Sequence, residues 1–396
     1  MAASHHAAVL VETDAQLAEA MGHIAAAGSF AFDTEFIGEL SYHPLLCLIQ
    51  VATDMDVWLI DPMAELDLSP LWAAVCDPGL RTLVHAGEQD LEIVARQSGR
   101  APRNVFDTQL AAGFCGLAYP ASLSKLLLEL FDVKLAKGFT FSQWDKRPLS
   151  RKQLLYAADD VRFLPAMAGR LGEMLAAHGN AWLAQAACQE RCLLAAETFR
   201  PELAYQRVKG SGSIEGRPLA VLAALAVWRD AAARAADLPP RAYLKDELLT
   251  AIAKLAPVKP DHLERVRGLP RPVREQEGER IVQAVLAGKS AAVPASVSRA
   301  PEASPRVRFL ADSAWALAQV LAAARGIDAA AVTSRQDVGE LLATLIDQGP
   351  EAEPLQASPL LTGWRRDALG EALLNALTKG EPLHLKWDGR LRVVGQ

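Results

Sequence analysis

Two acidic residues interrupt an otherwise apolar β-like run near the start of the chain. The run SFAFDTEF covers residues 29–36 and contains Asp33 and Glu35. Side chains two positions apart on a strand point to the same face, so these two carboxylates would lie side by side. Acidic residues are poor strand formers, and adjacent negative charges repel each other. The fold around this segment therefore has to supply compensating protons or cations.

Two later segments carry further acids at positions typical of functional sites. Asp90 follows HAG (85–87), where a predicted strand turns into a helix, and functional side chains of α/β folds collect at such strand ends. Tyr156 and Asp160 lie four residues apart on a predicted helix and share one face. Asp159 projects about 100° away from that face, so we expect it to face solvent.

These acids are candidate ligands for a metal site. The set that we expect to converge comprises Asp33, Glu35, Asp90 and Asp160. Ionised carboxylates about 4 Å apart repel by about 4 kcal/mol per pair at an effective dielectric of about 20, so such a cluster binds protons or cations. Carboxylate oxygens select Mg²⁺ or Mn²⁺ over zinc or copper, and two such ions would roughly neutralise four acids.

A pair of divalent ions gives the neighbouring tyrosine a role. Two metals about 4 Å apart activate water on one side of a phosphate and stabilise the departing oxygen on the other. The ordinary pKa of a tyrosine is about 10, which makes Tyr156 a poor general base at neutral pH. We expect Tyr156 to position the attacking water or the scissile phosphate instead.

The pattern of strands and helices divides the 396 residues into an α/β part and a helical part. Three consecutive β-like runs, at residues 29–36, 45–52 and 57–60, predict a meander. A fourth run at 81–85 and several helices follow, and a helical stretch is expected from residue 150 past residue 174. From about residue 181 helices dominate. Residues 289–306 are rich in Pro, Ala and Ser, which indicates a linker. The final LHLKWDGRLRVV alternates around Asp388 and Gly389, which predicts a β-hairpin packed on the last helical unit.

Three motifs resemble those of a known nuclease superfamily. FDTEF, HAGEQDL and YAADDV, in this order and spacing, are similar to the exonuclease motifs of the DEDD superfamily, in the subclass with Tyr four residues before the last Asp. The intervening LIQVAT, DTQLAAGFCG and WDKRPLS segments are similar to the bacterial ribonuclease D family, over roughly residues 10–175. The helical segments near 215–288 and 307–380 resemble the helicase and ribonuclease D C-terminal (HRDC) domain.

The resemblance implies an architecture. We expect an α/β, ribonuclease H-like exonuclease domain with a mixed sheet flanked by helices, followed by two small all-α HRDC-like domains that grip the substrate. The expected boundaries are 1–195 for the exonuclease domain, 212–288 for the HRDC domain, 289–306 for the linker and 307–396 for a second, divergent HRDC-like domain with the hairpin. Residues 137–142 are unusually apolar for a stretch that leads into the substrate cleft.

The resemblance also implies an activity. We expect a metal-dependent 3′ to 5′ exoribonuclease that trims the 3′ ends of structured RNA, such as tRNA precursors with 3′ extensions, and releases nucleoside 5′-monophosphates. The implied catalytic residues are Asp33, Glu35, Asp90, Tyr156 and Asp160, and the four acids among them would bind two Mg²⁺ or Mn²⁺ ions.

Two other functions are alternatives. A DNA 3′ to 5′ exonuclease would use the same metal chemistry, which is indifferent to the 2′-hydroxyl, so only contacts outside the metal site can select the sugar. A non-catalytic RNA-binding scaffold would rely on the HRDC-like domains, although a binding module needs no cluster of mutually repelling acids. Matched RNA and DNA substrates test the first, and tight binding without nucleotide release would indicate the second.

Other polar residues are expected to have structural roles. His85 is predicted to be an ordinary hydrogen-bonded histidine at a strand end, and Asp107 is predicted to cap the next helix. The four arginines within residues 265–274 are candidates for phosphate contacts, but interleaved glutamates compete for them.

Charge, hydropathy and cysteine content limit the possible binding partners and the cellular compartment. The net charge of −6 excludes a uniformly basic surface, so RNA binding requires a local basic patch. No run approaches the roughly 20 apolar residues of a membrane-spanning helix. The five cysteines are dispersed and mostly in apolar surroundings, which predicts buried, reduced thiols and no zinc site. We expect a cytoplasmic monomer that acts on RNA, with no membrane association and no small-molecule organic cofactor.

Overall fold

A six-stranded mixed sheet underlies the first half of the chain. The computed structural model describes residues 8–135, 143–197, 201–294, 305–379, 384–387 and 391–394. The strands are β1 (Val9–Val11), β2 (Ser29–Ile37), β3 (Leu45–Ala52), β4 (Val57–Ile60), β5 (Arg81–Val84) and β6 (Val105–Asp107). Their order is β1-β4-β3-β2-β5-β6. The β3–β4 pair is antiparallel, whereas the β1–β4, β2–β5 and β5–β6 pairs are parallel.

Helices flank this sheet, which confirms the predicted α/β class. They are α1 (Asp14–Ala27), α2 (Ser69–Val75), α3 (Glu88–Ser98), α4 (Thr108–Gly113), α5 (Leu123–Phe131), α6 (Arg151–Arg162), α7 (Leu164–His178) and α8 (Ala181–Ala196). Local sequence fixes their ends. Helix α1, for example, begins at a capping box between Thr13 and Gln16 and ends at Gly28, whose φ of 70° suits glycine.

The apolar core determines which face of β2 carries the acids. Phe30 and Phe32 of β2 join Ile49 and Val51 of β3 in one fully buried cluster. Side chains alternate along a strand, so the odd-numbered positions of β2 are directed to the opposite face of the sheet. The core thus leaves Asp33 and Glu35 on the face away from the apolar cluster.

The structure departs from the sequence prediction in two respects. Strands β1 and β6 were not predicted, because each has only three residues and lies at an edge of the sheet, too short to show a period. The helical stretch after residue 150 is two helices, since α6 ends at Arg162 and α7 starts at Leu164, next to Pro165, a residue suited to a first helical turn.

The chain folds as two compact units. The first comprises Met1–Glu35, Leu46–Ala196 and Ala303–Gln396, and the second comprises Phe36–Leu45 and Glu197–Glu302. In the second unit, α9 (Gly216–Ala235), α10 (Pro240–Tyr243), α11 (Asp246–Leu255) and α12 (Arg271–Ser290) enclose an apolar core. A buried ion pair, 2.7 Å between Arg229 and Asp246, crosses this core.

The segment Phe36–Leu45 belongs to the second unit although it directly follows β2 residue Glu35. Its anchor is Tyr42, whose hydroxyl donates to Asp230 at 2.6 Å and whose backbone N–H donates to Asp237 at 3.1 Å. The guanidinium of Arg234 donates to the same hydroxyl at 3.0 Å and lies 4.9 Å from the ring centre. The loop after β2 is therefore fixed to helix α9 through one tyrosine.

Two glycines of α12 make a matched pair for testing the core of the second unit. A Cβ at Gly288 would lie 2.6 Å from Val221 Cα, whereas one at Gly278 would lie at an ordinary 3.6 Å from Leu263 and Pro260. Gly288→Ala is expected to destabilise the protein by about 1–3 kcal/mol through overpacking. Gly278→Ala is expected to be neutral or to stabilise by up to about 1 kcal/mol through helix propensity. Urea unfolding of both variants checks this, and equal stabilities contradict it.

Helices and a hairpin complete the first unit. They are α13 (Pro305–Ala324), α14 (Arg335–Gln348), α15 (Glu353–Gln356), α16 (Gly363–Arg365), α17 (Glu371–Thr378), β7 (His384–Trp387) and β8 (Leu391–Val394). Strands β7 and β8 pair antiparallel and β8 lies against α13, as predicted for the hairpin. Its turn residues, the stretch 137–142 and most of the predicted linker lie outside the described residues. The domain boundaries stay a prediction.

The C-terminal helices contact the α/β fold directly. Arg365 donates to both carboxylate oxygens of Glu190 at 2.7 Å, and the Trp364 indole donates to the same group at 3.1 Å. The Trp364 ring packs edge-on to Phe114, with 5.6 Å between centres. The backbone N–H of Asp328 donates to the Gly113 carbonyl at 2.8 Å. No helix within the described ranges combines the length and apolar character needed to cross a membrane.

Candidate active site

Strand β2 and helix α3 present three of the predicted site residues. Asp33 and Glu35 are half-buried on β2, and Asp90 lies in the first turn of α3 with only 7% of its surface exposed. The hydroxyl of Thr34, between the two β2 acids, donates a hydrogen bond to the Asp90 carboxylate. This contact ties the strand to the helix and orients Asp90.

The turn before Asp90 is held by a buried carboxylate. Ala86 has a φ of 56°, and its N–H donates to Asp107 Oδ1 at 3.1 Å. Asp107 also accepts from the Gln109 N–H at 2.8 Å, which confirms its predicted role as a helix cap. A Cβ at Gly87 would lie 2.7 Å from Val84 Cβ, so the turn requires glycine there.

His85 has the structural environment predicted for it. One ring nitrogen lies 2.9 Å from the Thr108 hydroxyl and the other lies 3.1 Å from the Ala121 carbonyl oxygen. Burial lowers the pKa of His85 below its ordinary value, which favours the neutral ring.

Helix α6 supplies the remaining two predicted residues. It begins at a capping box between Ser150 and Gln153 and places Tyr156 and Asp160 one turn apart, with a hydrogen bond between their side chains. Asp159 forms an ion pair with Arg162 at 3.1 Å. Asp159 is only 30% exposed and is partnered, instead of facing bulk solvent as predicted.

A partly exposed arginine fixes the loop that precedes α6. Arg147 forms a bidentate ion pair with Asp61, with distances of 2.5 and 2.7 Å. The same guanidinium donates to the carbonyls of Trp144 at 2.8 Å and Cys47 at 2.7 Å. Trp144 is buried, and its ring centre lies 6.2 Å from that of Tyr156. The loop therefore forms one wall beside the tyrosine.

The electrostatics show that all five predicted site residues lie in one cluster. The pKa of Asp33 is raised well above its ordinary value by burial and by the charges of Asp90, Asp160 and Glu35. Burial, followed by the charges of Asp160 and Asp90, raises the pKa of Glu35 to about 8.

The other members of the cluster are shifted in the same direction. Burial raises the pKa of Asp160 to about 7 and that of Asp90 to about 6, and the hydrogen bond from Thr34 acts against the shift at Asp90. Burial and the neighbouring carboxylates raise the pKa of Tyr156 above its usual range, so the phenol keeps its proton at neutral pH. The cluster is a site of excess negative potential.

The donor set fits divalent cations. It is composed of carboxylate oxygens, which are the ligands of Mg²⁺ and Mn²⁺, and burial together with the neighbouring carboxylates raises the pKa values of Asp33 and Glu35. Within the described ranges, no group of three or more His, Cys, Asp or Glu side chains is already arranged to hold a metal ion. The roles of the individual residues stay a prediction.

The raised pKa values predict that the chelated protein loses stability as pH rises. A carboxyl that binds its proton more tightly in the folded than in the unfolded chain favours folding while protonated, and this advantage disappears as it ionises. The folded pKa of Glu35 is about 8 against an ordinary 4.5, and that of Asp160 is about 7 against 3.8. The melting temperature in EDTA should fall between about pH 5 and about pH 8.

Divalent ions should remove this pH dependence, because they pair with the ionised carboxylates. Thermal unfolding across the pH range with EDTA or Mn²⁺ measures it, and Asp160→Asn serves as a variant with a flatter curve in EDTA. A chelated wild-type protein with no loss of stability across this range would contradict the shifts.

Sequence reasoning did not identify several residues that support the site. Thr34 was not among the predicted site residues, and its bond to Asp90 spans 56 residues. Arg147 and Trp144 lie in the WDKRPLS segment, whose resemblance to a family was the only signal for them. The arginine candidates in 265–274 are partly paired, since Arg271 contacts Glu275 at 2.6 Å. All five cysteines are buried, as predicted.

The fold and the acid cluster define a class of protein, the 3′-5′ exonucleases with an HRDC domain. A family model described as 3′-5′ exonuclease matches residues 8–176, and the HRDC domain model matches residues 219–285.

Whole-chain relatives define the family more closely. The ribonuclease D of Pseudomonas paraeruginosa is 34% identical over 373 residues, which cover 93% of this chain and 96% of that protein. The ribonuclease D of Acidiphilium cryptum is 34% identical over 389 residues, covering 96% and 95%. The crystal structure of Escherichia coli RNase D, an exoribonuclease involved in structured RNA processing, matches with a TM-score of 0.79 at 29% identity, covering 94% of this chain and 99% of that one.

The chain belongs to the ribonuclease D family and is a 3′-5′ exoribonuclease. Membership of the family, together with the exonuclease domain, implies dependence on divalent metal ions and RNA as the substrate.

Proposed function

We propose that this enzyme trims the 3′ ends of structured RNA such as tRNA precursors and releases nucleoside 5′-monophosphates by a two-metal mechanism. One observation carries the proposal: β2, α3 and α6 bring four carboxylates into a cluster in which burial, together with the charges of the other three acids, raises the pKa of Asp33. Such a cluster is costly to a fold unless cations bind to it. The proposal extends to structured RNA because the Escherichia coli relative processes it.

Each residue of the cluster has a task in this proposal. Two Mg²⁺ or Mn²⁺ ions, when bound, supply an activated water and neutralise the leaving oxygen. The residues that would hold them are Asp33, Glu35, Asp90 and Asp160. Tyr156 keeps its proton and hydrogen-bonds Asp160, so its phenol can orient a water or a phosphate oxygen but cannot remove a proton.

A time course on a 3′-extended tRNA tests this function. In Mg²⁺ or Mn²⁺ the extension should be shortened one nucleotide at a time with release of nucleoside 5′-monophosphates, and EDTA should stop the reaction because the acids then lack their cations. Thin-layer chromatography of the products and gel analysis of the RNA measure both. Full activity in EDTA, or 3′-monophosphate products, would exclude the proposed mechanism.

Matched single-stranded RNA and DNA oligomers test the sugar preference. The RNA oligomer should be degraded faster, and equal or faster digestion of the DNA would instead favour a DNA exonuclease. Tight RNA binding without released nucleotide in several metals would favour a scaffold. We further propose that the enzyme acts as a cytoplasmic monomer without an organic cofactor, and that residues 212–288 and 307–396 form HRDC-like domains that contact the RNA.

A further inference from the structure

Gln50 is fully buried, yet its amide has no hydrogen-bond partner among the described residues. Its exposed surface is 0%, and neither Nε2 nor Oε1 makes a hydrogen bond to the described part of the chain. A buried amide left unsatisfied costs the protein stability. Burial of the Gln50 amide therefore lowers the stability of the fold, and its contacts with the described residues do not compensate for this loss.

The position of Gln50 relates this amide to the acid cluster. Ile49 and Val51 on either side of it join the apolar core, so the Gln50 side chain belongs to the opposite face of the sheet. Strand β3 is the neighbour of β2, and Asp33 and Glu35 lie on that same face. Side chains on adjacent strands are about 5 Å apart when opposite and about 7–8 Å apart on the diagonal, within reach of a long side chain.

A second unpartnered polar atom lies near Tyr156. The indole N–H of buried Trp144 has no partner among the described residues, and its ring lies 6.2 Å from Tyr156. Arg147 links the backbone of this tryptophan to Cys47 of β3, three residues before Gln50. Trp144 thus carries an unused hydrogen-bond donor beside Tyr156.

We propose that Gln50 is a positioning residue for the metal site. This proposal rests on the proposed function. Its amide N–H groups would donate to a carboxylate of the Asp33–Glu35 pair when these residues hold divalent ions. A carboxylate that binds a metal through one oxygen needs a donor for the other, and such outer contacts fix the ligand's orientation.

Mn²⁺ binding by the full-length protein tests the proposal. Gln50→Met keeps the length of the side chain but removes the donors, and Gln50→Leu is a second substitution of different shape. Both should weaken Mn²⁺ binding, measured by calorimetry, by about 10- to 100-fold, as is typical for the loss of an outer-shell partner. The melting temperature in EDTA should be unchanged or raised, because an unsatisfied amide is replaced by an apolar group.

Thr82→Val is the matched control. Thr82 is also fully buried with an unpartnered hydroxyl, but it lies on β5 in register with Val105 of the apolar core. This variant should bind Mn²⁺ like the wild type. Wild-type affinity in both Gln50 variants would overturn the proposal and indicate that a buried water satisfies the amide. The wild type should bind Mn²⁺, and Asp160→Asn should weaken this binding. If either result failed, the proposed metal site itself would be overturned.

Discussion

Asp160→Asn is expected to reduce exonuclease activity by on the order of 10³-fold or more, the scale seen when a group that stabilises transition-state charge is removed. An amide is isosteric with the carboxylate but carries no charge, so it cannot replace an anionic metal ligand. The steady-state rate on a fluorescent RNA oligomer, at saturating Mg²⁺ and at saturating Mn²⁺, measures the loss. We expect the same outcome for Asp33→Asn.

The neighbouring acid provides the control. Asp159 lies next to Asp160 on α6 but forms an ion pair with Arg162, so Asp159→Asn should keep most of the activity. The melting temperature distinguishes the loss of a metal ligand from the loss of the fold. Asp160→Asn should melt at a higher temperature than the wild type in EDTA near pH 8, because one repelling charge is gone. If Asp160→Asn retained its activity in metal-replete buffer, Asp160 would not be an active-site residue.

A chain that ends at residue 302 is expected to lose most of its soluble, active form. Residues 303–396 belong to the same compact unit as the α/β fold, and their removal would expose Phe114 and leave the Glu190 carboxylate without Arg365. A separate C-terminal domain would tolerate this deletion. Soluble yield, melting temperature and the rate on a short single-stranded oligomer should all fall together.

Two substitutions in the full-length chain test the same contact without truncation. Trp364 packs on Phe114 and donates to Glu190, so Trp364→Ala should lower stability by about 2–4 kcal/mol, toward the lower part of the range for aromatic-to-alanine changes because the ring is half-buried. Phe309 in α13 is 68% exposed, and Phe309→Ala should be close to neutral. A truncated chain with the wild-type melting temperature and rate would show that the C-terminal segment folds independently.

The sequence was sufficient to locate the acid cluster but not to describe its surroundings. Asp33 and Glu35 stand out because two acids in an apolar strand are unusual, and the i, i+4 spacing of Tyr156 and Asp160 fixes their common face. No local pattern could show that Thr34 meets Asp90, since that contact depends on how β2 and β5 pair.

The same limit applies to the larger architecture. The helices after residue 305 have amphipathic patterns that predict helices but do not specify what their apolar faces cover. Placement of Trp364 against Phe114 is a tertiary contact between residues 250 positions apart, so it was not predictable from either segment alone. Strands β1 and β6 were missed for a related reason, since three-residue edge strands are defined by their neighbours.

The assignment of Phe36–Leu45 to the second unit has a consequence for protein engineering. Tyr42 recognises a specific set of side chains on α9, which includes Asp230 and Arg234. A chimaera that imports the HRDC region of a relative must therefore also import the ten-residue loop after Glu35, or re-create a compatible tyrosine and its acceptors. Exchange of residues 197–302 alone would leave Tyr42 without its matching partners on α9, in the segment that directly follows Glu35 of β2.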